Sequence, residues 1–187
     1  MPNKIIILYE GPIAAGKTTS ILKTQSNHPE FSVVDFDLLK ERTFKLGDWN
    51  IWNKQMIKHG KDWRRKVAYS VGLFWMQKLC ILEMPILAEL CYTYDEINKI
   101  YEIAHEYDYL IIRVLLYPNL QFCLDANQER DLEKKHVAYL EEKVKETYDY
   151  YKKLKNEVKY NYIIDTSADS VFNHIDFKEL LDANVHS

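Results

Sequence analysis

The stretch GPIAAGKTT, residues 11–19, follows directly on the apolar run IIIL at residues 5–8. It satisfies G-x-x-x-x-G-K-[ST], a loop that belongs between a buried strand and a helix, because its amides must converge on an anion at the positive end of that helix. Only five glycines occur in the chain, and two of them, Gly11 and Gly16, occupy the required positions. The match therefore predicts a strand, a phosphate-binding turn and a helix in that order.

The chemistry of the loop assigns its residues. The amides of Ile13, Ala14, Ala15, Gly16, Lys17 and Thr18 are expected to form an anion nest. Lys17 reaches the β- and γ-phosphates as a mobile cation, the Thr18 hydroxyl ligates Mg²⁺, and Thr19 adds a hydrogen bond to the α-phosphate. ATP and Mg²⁺ are the expected cofactors.

The rest of the chain supplies a frame. Apolar runs recur at 5–8, 31–37, 85–90, 109–117 and 160–165, separated by longer polar-faced segments. Continuous apolar strands alternating with helices predict a doubly wound α/β fold with a five-stranded parallel sheet. Helices are expected at 17–24, at 94–105 with Ile97, Ile100, Tyr101 and Ala104 facing inward, and at 132–156. The last carries Val137, Leu140, Val144, Tyr148, Tyr151 and Leu154 as a stripe packed on the domain. At 187 residues the chain is expected to form one domain, 1–187.

Composition excludes little. A net charge of −3 gives no global attraction to nucleic acid but leaves room for a local basic channel. Cys80, Cys91 and Cys123 lie far apart in apolar surroundings and read as buried reduced thiols. The first residues suit neither a signal peptide nor a membrane span, so the expected location is cytoplasmic, with no membrane partner.

Between the second and third runs lies an insertion, 44–83, holding all four tryptophans together with Arg64, Arg65 and Lys66. It reads either as one side of a substrate cleft, with Trp52 and Arg64 facing an acceptor, or as a helical subdomain with its own aromatic core. Trp75, in VGLFWMQKL, is expected in the core.

Carboxylates near the loop turn phosphate binding toward transfer. The run FSVVDFD places Asp35 and Asp37 two residues apart at a strand end, and Asp37 is the candidate general base for an attacking hydroxyl. Asp35 serves either the substrate or a helix cap. Glu89, ending the third run, can hold a water of the magnesium shell or a substrate hydroxyl. Arg130 falls in a lid, 125–136, where its guanidinium could bridge donor and acceptor oxygens, with Lys134 and Lys135 nearby. The turn at Asp165, Thr166 and Ser167 either borders the nucleotide base or caps the next helix. No D-x-x-G or N-K-x-D string of a switch GTPase is present.

With these parts assembled, the chain resembles the small P-loop kinases, above all the zeta-toxin and polynucleotide 5′-kinase group. The resemblance rests on GPIAAGKTT, VVDFDLLKER, PILAEL and LLYPNLQFCLDANQERD. It implies a sheet ordered 2-3-1-4-5, Asp37 as base, Lys40 or Arg42 as an acceptor-side cation and Arg130 as lid arginine. The loop wording EGPIAAGKTT and the segment HVAYLEEKVKETYDYY are similar to deoxynucleoside kinases instead. Both resemblances imply ATP, magnesium and a hydroxyl acceptor on a nucleoside, nucleotide or nucleic acid. A non-catalytic, nucleotide-dependent binding protein is the alternative from another class.

Overall fold

A computed structural model describes residues 4–36, 38–39, 42, 54–55, 57–60, 63–90, 94–132, 140–168 and 175–179; within these, the side chains of 64, 65, 68, 94–96 and 130–132 are not described. Asp37, Lys40, Trp49, Trp52, Cys91, Lys134, Lys135 and Val137 lie outside the described residues.

Five strands form a parallel sheet: β1 (Ile5–Glu10), β2 (Ser32–Asp35), β3 (Ile86–Leu90), β4 (Leu110–Leu116) and β5 (Tyr162–Ile164). Their order is β2-β3-β1-β4-β5, as the sequence led us to expect. The longer helices among the described residues are α1 (Lys17–Asn27), α2 (Trp63–Ile81), α3 (Tyr94–Glu106), α4 (Leu120–Leu132) and α5 (Glu141–Glu157).

Every residue of β1 is buried, which explains its unbroken apolar run. Alternate side chains of a strand face opposite sides of the sheet, so this one strand feeds two cores. Ile6 and Leu8 pack with Val34, Phe36, Met76 and Ile100, beneath α2 and α3. Ile5, Ile7 and Tyr9 pack with Ile21, Phe31, Val114 and Phe177 on the other face. Burying each such side chain stabilises the fold by about 1.5–3 kcal/mol, and β1 sits between β3 and β4 where both layers depend on it.

Helices end where a left-handed residue lets the chain turn back. Glu83 (φ 55) and Asp108 (φ 58) do this after α2 and α3. Met84 N–H then donates to the Leu79 carbonyl at 3.0 Å, and Tyr109 N–H to that of Ala104 at 2.7 Å, closing both helix ends just before β3 and β4.

Several expectations need correction. The second strand stops at Asp35, and Phe36 is already helical, because the Asp35 carboxylate accepts the Leu38 N–H at 2.9 Å and turns the chain out of the sheet. Strand alternation therefore does not link Asp35 to position 37. Trp75 is 45% exposed rather than in the core, since the inward face of α2 is taken by Tyr69, Met76, Leu79 and Cys80. Tyr101 is likewise 42% exposed, with Ile97, Ile100 and Ala104 filling the buried face of α3. The helix expected at 132–156 is observed as α5 from Glu141, and Leu140 precedes it in an extended conformation, 78% exposed. The remaining stripe holds: Val144, Tyr151 and Leu154 are buried. Cys80 and Cys123 are buried and form no disulfide among the described residues, in line with reduced thiols.

Candidate functional site

The end of β1 delivers the loop to the edge of the sheet where the strands' carboxyl ends lie, the usual place for ligands in an open parallel sheet. Gly11, at φ 150, presses so close to β4 that an added Cβ would stand 2.3 Å from the Leu116 carbonyl oxygen. Ala14 is held at φ 62, a left-handed conformation that disfavours side chains by roughly 1–2 kcal/mol. Gly16 (φ 84, ψ 17) then starts α1 without any side-chain cap.

That uncapped start leaves donors pointing outward. The first turn closes with Ser20 N–H donating to the Gly16 carbonyl at 2.9 Å, so the amides of Lys17, Thr18 and Thr19 stand outside the helical ladder. No acidic residue occupies that turn to compete for them. Together with the helix dipole they favour an anion.

Two amides assigned to the nest have protein partners instead. Ile13 N–H donates to Thr147 Oγ1 at 3.3 Å, and Ala15 N–H to the Pro12 carbonyl at 3.3 Å. The loop is thus tied to α5, and Ile13 and Ala14 pack with Cys123 and Val144. On its other side, Thr166 Oγ1 donates to the Ala15 carbonyl at 2.9 Å, so the turn after β5 braces the loop. Asn119 Nδ2 donates to Ser167 Oγ at 3.0 Å beside it, and Asp165 accepts from both the Ser167 amide and hydroxyl.

Lys17, Thr18 and Glu89 are brought together. Lys17 is 5% exposed; its ammonium donates to the carbonyls of Gly11 at 3.0 Å and Pro12 at 2.9 Å, and stands 4.0 Å from Glu89 Oε1. Thr18 Oγ1 donates to Glu89 Oε2 at 2.8 Å. Glu89 comes from β3, where its Cα partners are Tyr9 of β1 and Asp35 of β2. A threonine hydroxyl and a carboxylate side by side are hard oxygen donors suited to Mg²⁺, which binds few protein oxygens and keeps waters and phosphates for the rest. The residues present therefore fit a magnesium nucleotide.

The other expected site residues are scattered or partly outside the described set. Asp35 caps the turn at Leu38, Arg42 is helical and exposed, and Thr19 is exposed at the start of α1. Arg64 lies in the first turn of α2 and Arg130 near the end of α4; their side chains are not described. Residues 125–132 of the expected lid belong to α4.

Sequence reading missed a buried charge network directly behind the loop. Glu10, 1% exposed, accepts two hydrogen bonds from the Arg113 guanidinium, Nε at 2.6 Å and Nη2 at 2.8 Å, and a third from the Tyr160 hydroxyl at 3.3 Å. The guanidinium also lies 4.7 Å from the Tyr160 ring centroid. Burial opposes the Arg113 charge, but the hydrogen bonds and opposite charge of Glu10 outweigh it and raise its pKa. Burial, followed by the Glu10 charge, pushes the Tyr160 hydroxyl up as well. A signal existed: Arg113 is the one charged residue in LIIRVLL, and a charge in a buried strand demands a partner.

No protein-family profile matches the sequence, and no curated protein matches it. Solved structures do. A chain of the Pnkp1/Rnl/Hen1 RNA repair complex gives a TM-score of 0.66 at 8% identity, over 86% of this chain and 48% of that one. A chain of the PezAT toxin–antitoxin system of Streptococcus pneumoniae gives 0.61 at 18%, over 97% and 77%. Shikimate kinase from Acinetobacter baumannii, in complex with shikimate, gives 0.60 at 21%, over 100% and 96%. Sheet order, loop and neighbours define the P-loop NTPase fold, the fold in which P-loop kinases are built.

Proposed function

We propose that the chain is a single-domain, ATP-dependent kinase that moves the γ-phosphoryl group to a hydroxyl of a nucleoside, nucleotide or nucleic acid. The observation that carries this is the junction of Lys17, Thr18 and Glu89 at the phosphate loop, where a cation, a hydroxyl and a carboxylate converge from α1 and β3. The shikimate kinase neighbour supports transfer to an alcohol, and the RNA repair neighbour supports a nucleic-acid end as acceptor.

In this reading the acceptor oxygen attacks the γ-phosphorus while its proton passes to a carboxylate, Asp37. The bond from the γ-phosphorus to the bridging oxygen breaks, and ADP departs with that electron pair. The first-turn amides of α1 and Lys17 offset charge on the phosphates as it redistributes. Thr18 and Glu89 would hold Mg²⁺, which would supply neutralisation of charge on the phosphate oxygens. The lid role in this proposal falls to Arg130, and the acceptor-side roles fall to Asp35, Lys40, Arg42, Trp52 and Arg64.

Among the described residues no helix is long and apolar enough to cross a membrane, and a cytoplasmic location belongs to the same proposal. The test is transfer from γ-labelled ATP to a panel of nucleosides, nucleotides, nucleotide sugars and oligonucleotides with free 5′-hydroxyls. One acceptor class should take up label in proportion to enzyme. ATP binding without labelled product across the panel would favour a nucleotide-dependent binding protein instead.

A further inference from the structure

Gly72 stands in the middle of α2, where glycine is among the poorest helix formers. Its place is explained by what fills the missing Cβ: a methyl group there would stand 2.3 Å from both Cδ1 and Cε1 of Phe36. The Phe36 ring, 4% exposed, also stacks on Tyr69 one turn earlier, with centroids 4.8 Å apart at 25°. Phe36 is thereby seated in a notch of α2.

The location of that ring matters more than its burial. β2 is a four-residue strand at the edge of the sheet, paired on one side only, by β3. Its exit carries Asp35, Phe36 and Asp37 in succession, and beyond Asp35 the sheet no longer holds the chain. Asp35 is tied to the following turn through Leu38 N–H. Phe36 ties the same turn to α2.

We propose that Phe36 and Gly72 are positioning residues: their joint makes the carboxylate-bearing turn after β2 and the helix α2 one mechanical unit, so that α2 sets where the carboxylates stand relative to the phosphate loop. The proposal rests on the kinase reading, in which that turn carries the base and the 44–83 insertion forms the acceptor side. A glycine at 72 is required because any side chain there would push the ring, and the turn, away.

The experiment uses the full chain as Gly72→Ala, Phe36→Leu and the double variant, with two readouts. Gly72→Ala is expected to lower kcat on the order of 10- to 100-fold, as a displacement of about 1 Å does, while the KM for ATP stays within about twofold. Adding Phe36→Leu, which removes the Cε1 contact and replaces the flat ring by a branched end that can rotate aside from the added methyl, restores most of kcat. The second readout needs no activity: amide exchange at Leu38 should quicken roughly tenfold in Gly72→Ala and return toward wild type in the double variant. Phe36→Leu alone, which adds no clash, is expected to quicken the same exchange. Unchanged Leu38 exchange in both single variants, or a kcat loss in Gly72→Ala that Phe36→Leu fails to repair, overturns the joint. If wild type transfers no label to any acceptor, the kinase reading fails, and Leu38 exchange still decides whether the joint exists.

Discussion

Thr18 Oγ1 donates to Glu89 Oε2 at 2.8 Å, and this bond joins the first turn of α1 to the end of β3. It holds two oxygens next to each other at the mouth of the phosphate loop. Glu89→Ala is expected to raise the magnesium concentration needed for half-maximal transfer by about 10- to 100-fold, the usual effect of losing a group that orients a metal or its waters. Titrating activity against Mg²⁺ at saturating ATP checks this. An unchanged magnesium requirement would remove Glu89 from the metal site.

The loop is also held from α5. Thr147 is fully buried; its hydroxyl accepts the Ile13 N–H and donates to the Val144 carbonyl at 2.9 Å. Thr147→Val keeps the shape but leaves the loop amide without an acceptor, which should lower unfolding free energy by about 1–3 kcal/mol. Thr147→Ser should recover most of it. Denaturant unfolding of the variants gives the comparison, and ATP affinity should fall in the valine variant alone, because the strained Ala14 turn follows directly on Ile13.

Behind the loop, the Glu10–Arg113 pair is a matter of neutrality. Arg113→Met would strand a buried carboxylate immediately before Gly11, and breaking one side of a buried pair costs about 3–5 kcal/mol. The double variant Glu10→Gln with Arg113→Met should be more stable than Arg113→Met. Equal loss in both would mean that packing around Tyr160, rather than charge, holds the site.

These three relationships differ in how far the sequence discloses them. GPIAAGKT announces its loop because two glycines and a lysine have no substitutes there, and the buried β1 run follows from a strand covered on both faces. Glu89 is legible because strand ends near such a loop face the ligand. Phe36 is not: a run of seven residues reads as strand until a side chain, Asp35, captures the Leu38 amide and ends it. Trp75 misleads because its apolar neighbours suggest burial, whereas helical phase sends Met76 and Leu79 inward and Phe74 and Trp75 outward. Thr147 shares the three-and-four spacing of Val144, Tyr151 and Leu154, but a hydroxyl in that stripe names no partner until α5 docks on the loop.

Alkaline pH should act through buried acids. Burial pushes the Cys80 thiol up to about 11, with Lys4 opposing and Glu106 adding to it, and pushes the Tyr9 hydroxyl up to about 12 against a hydrogen bond with Thr24. Both groups are held protonated in the folded chain above their unfolded values. Their contribution is therefore complete below about pH 9 and is lost as pH rises toward about 12. Denaturation midpoints should fall through that window, and Tyr9→Phe should make the fall shallower. A fall centred below it would point to other groups.

The most direct measurement of the central claim compares wild type with Lys17→Ala for transfer of label from γ-labelled ATP, in the presence of Mg²⁺, to the acceptor that the panel identifies. Lys17 is the cation enclosed by the loop, bonded to the Gly11 and Pro12 carbonyls. Wild type should produce labelled acceptor, and Lys17→Ala should lower the rate on the order of 100- to 1,000-fold, the size of effect seen when a group stabilising transition-state charge is removed. Equal rates in the two proteins, or no labelled acceptor from wild type with any hydroxyl compound, would contradict it.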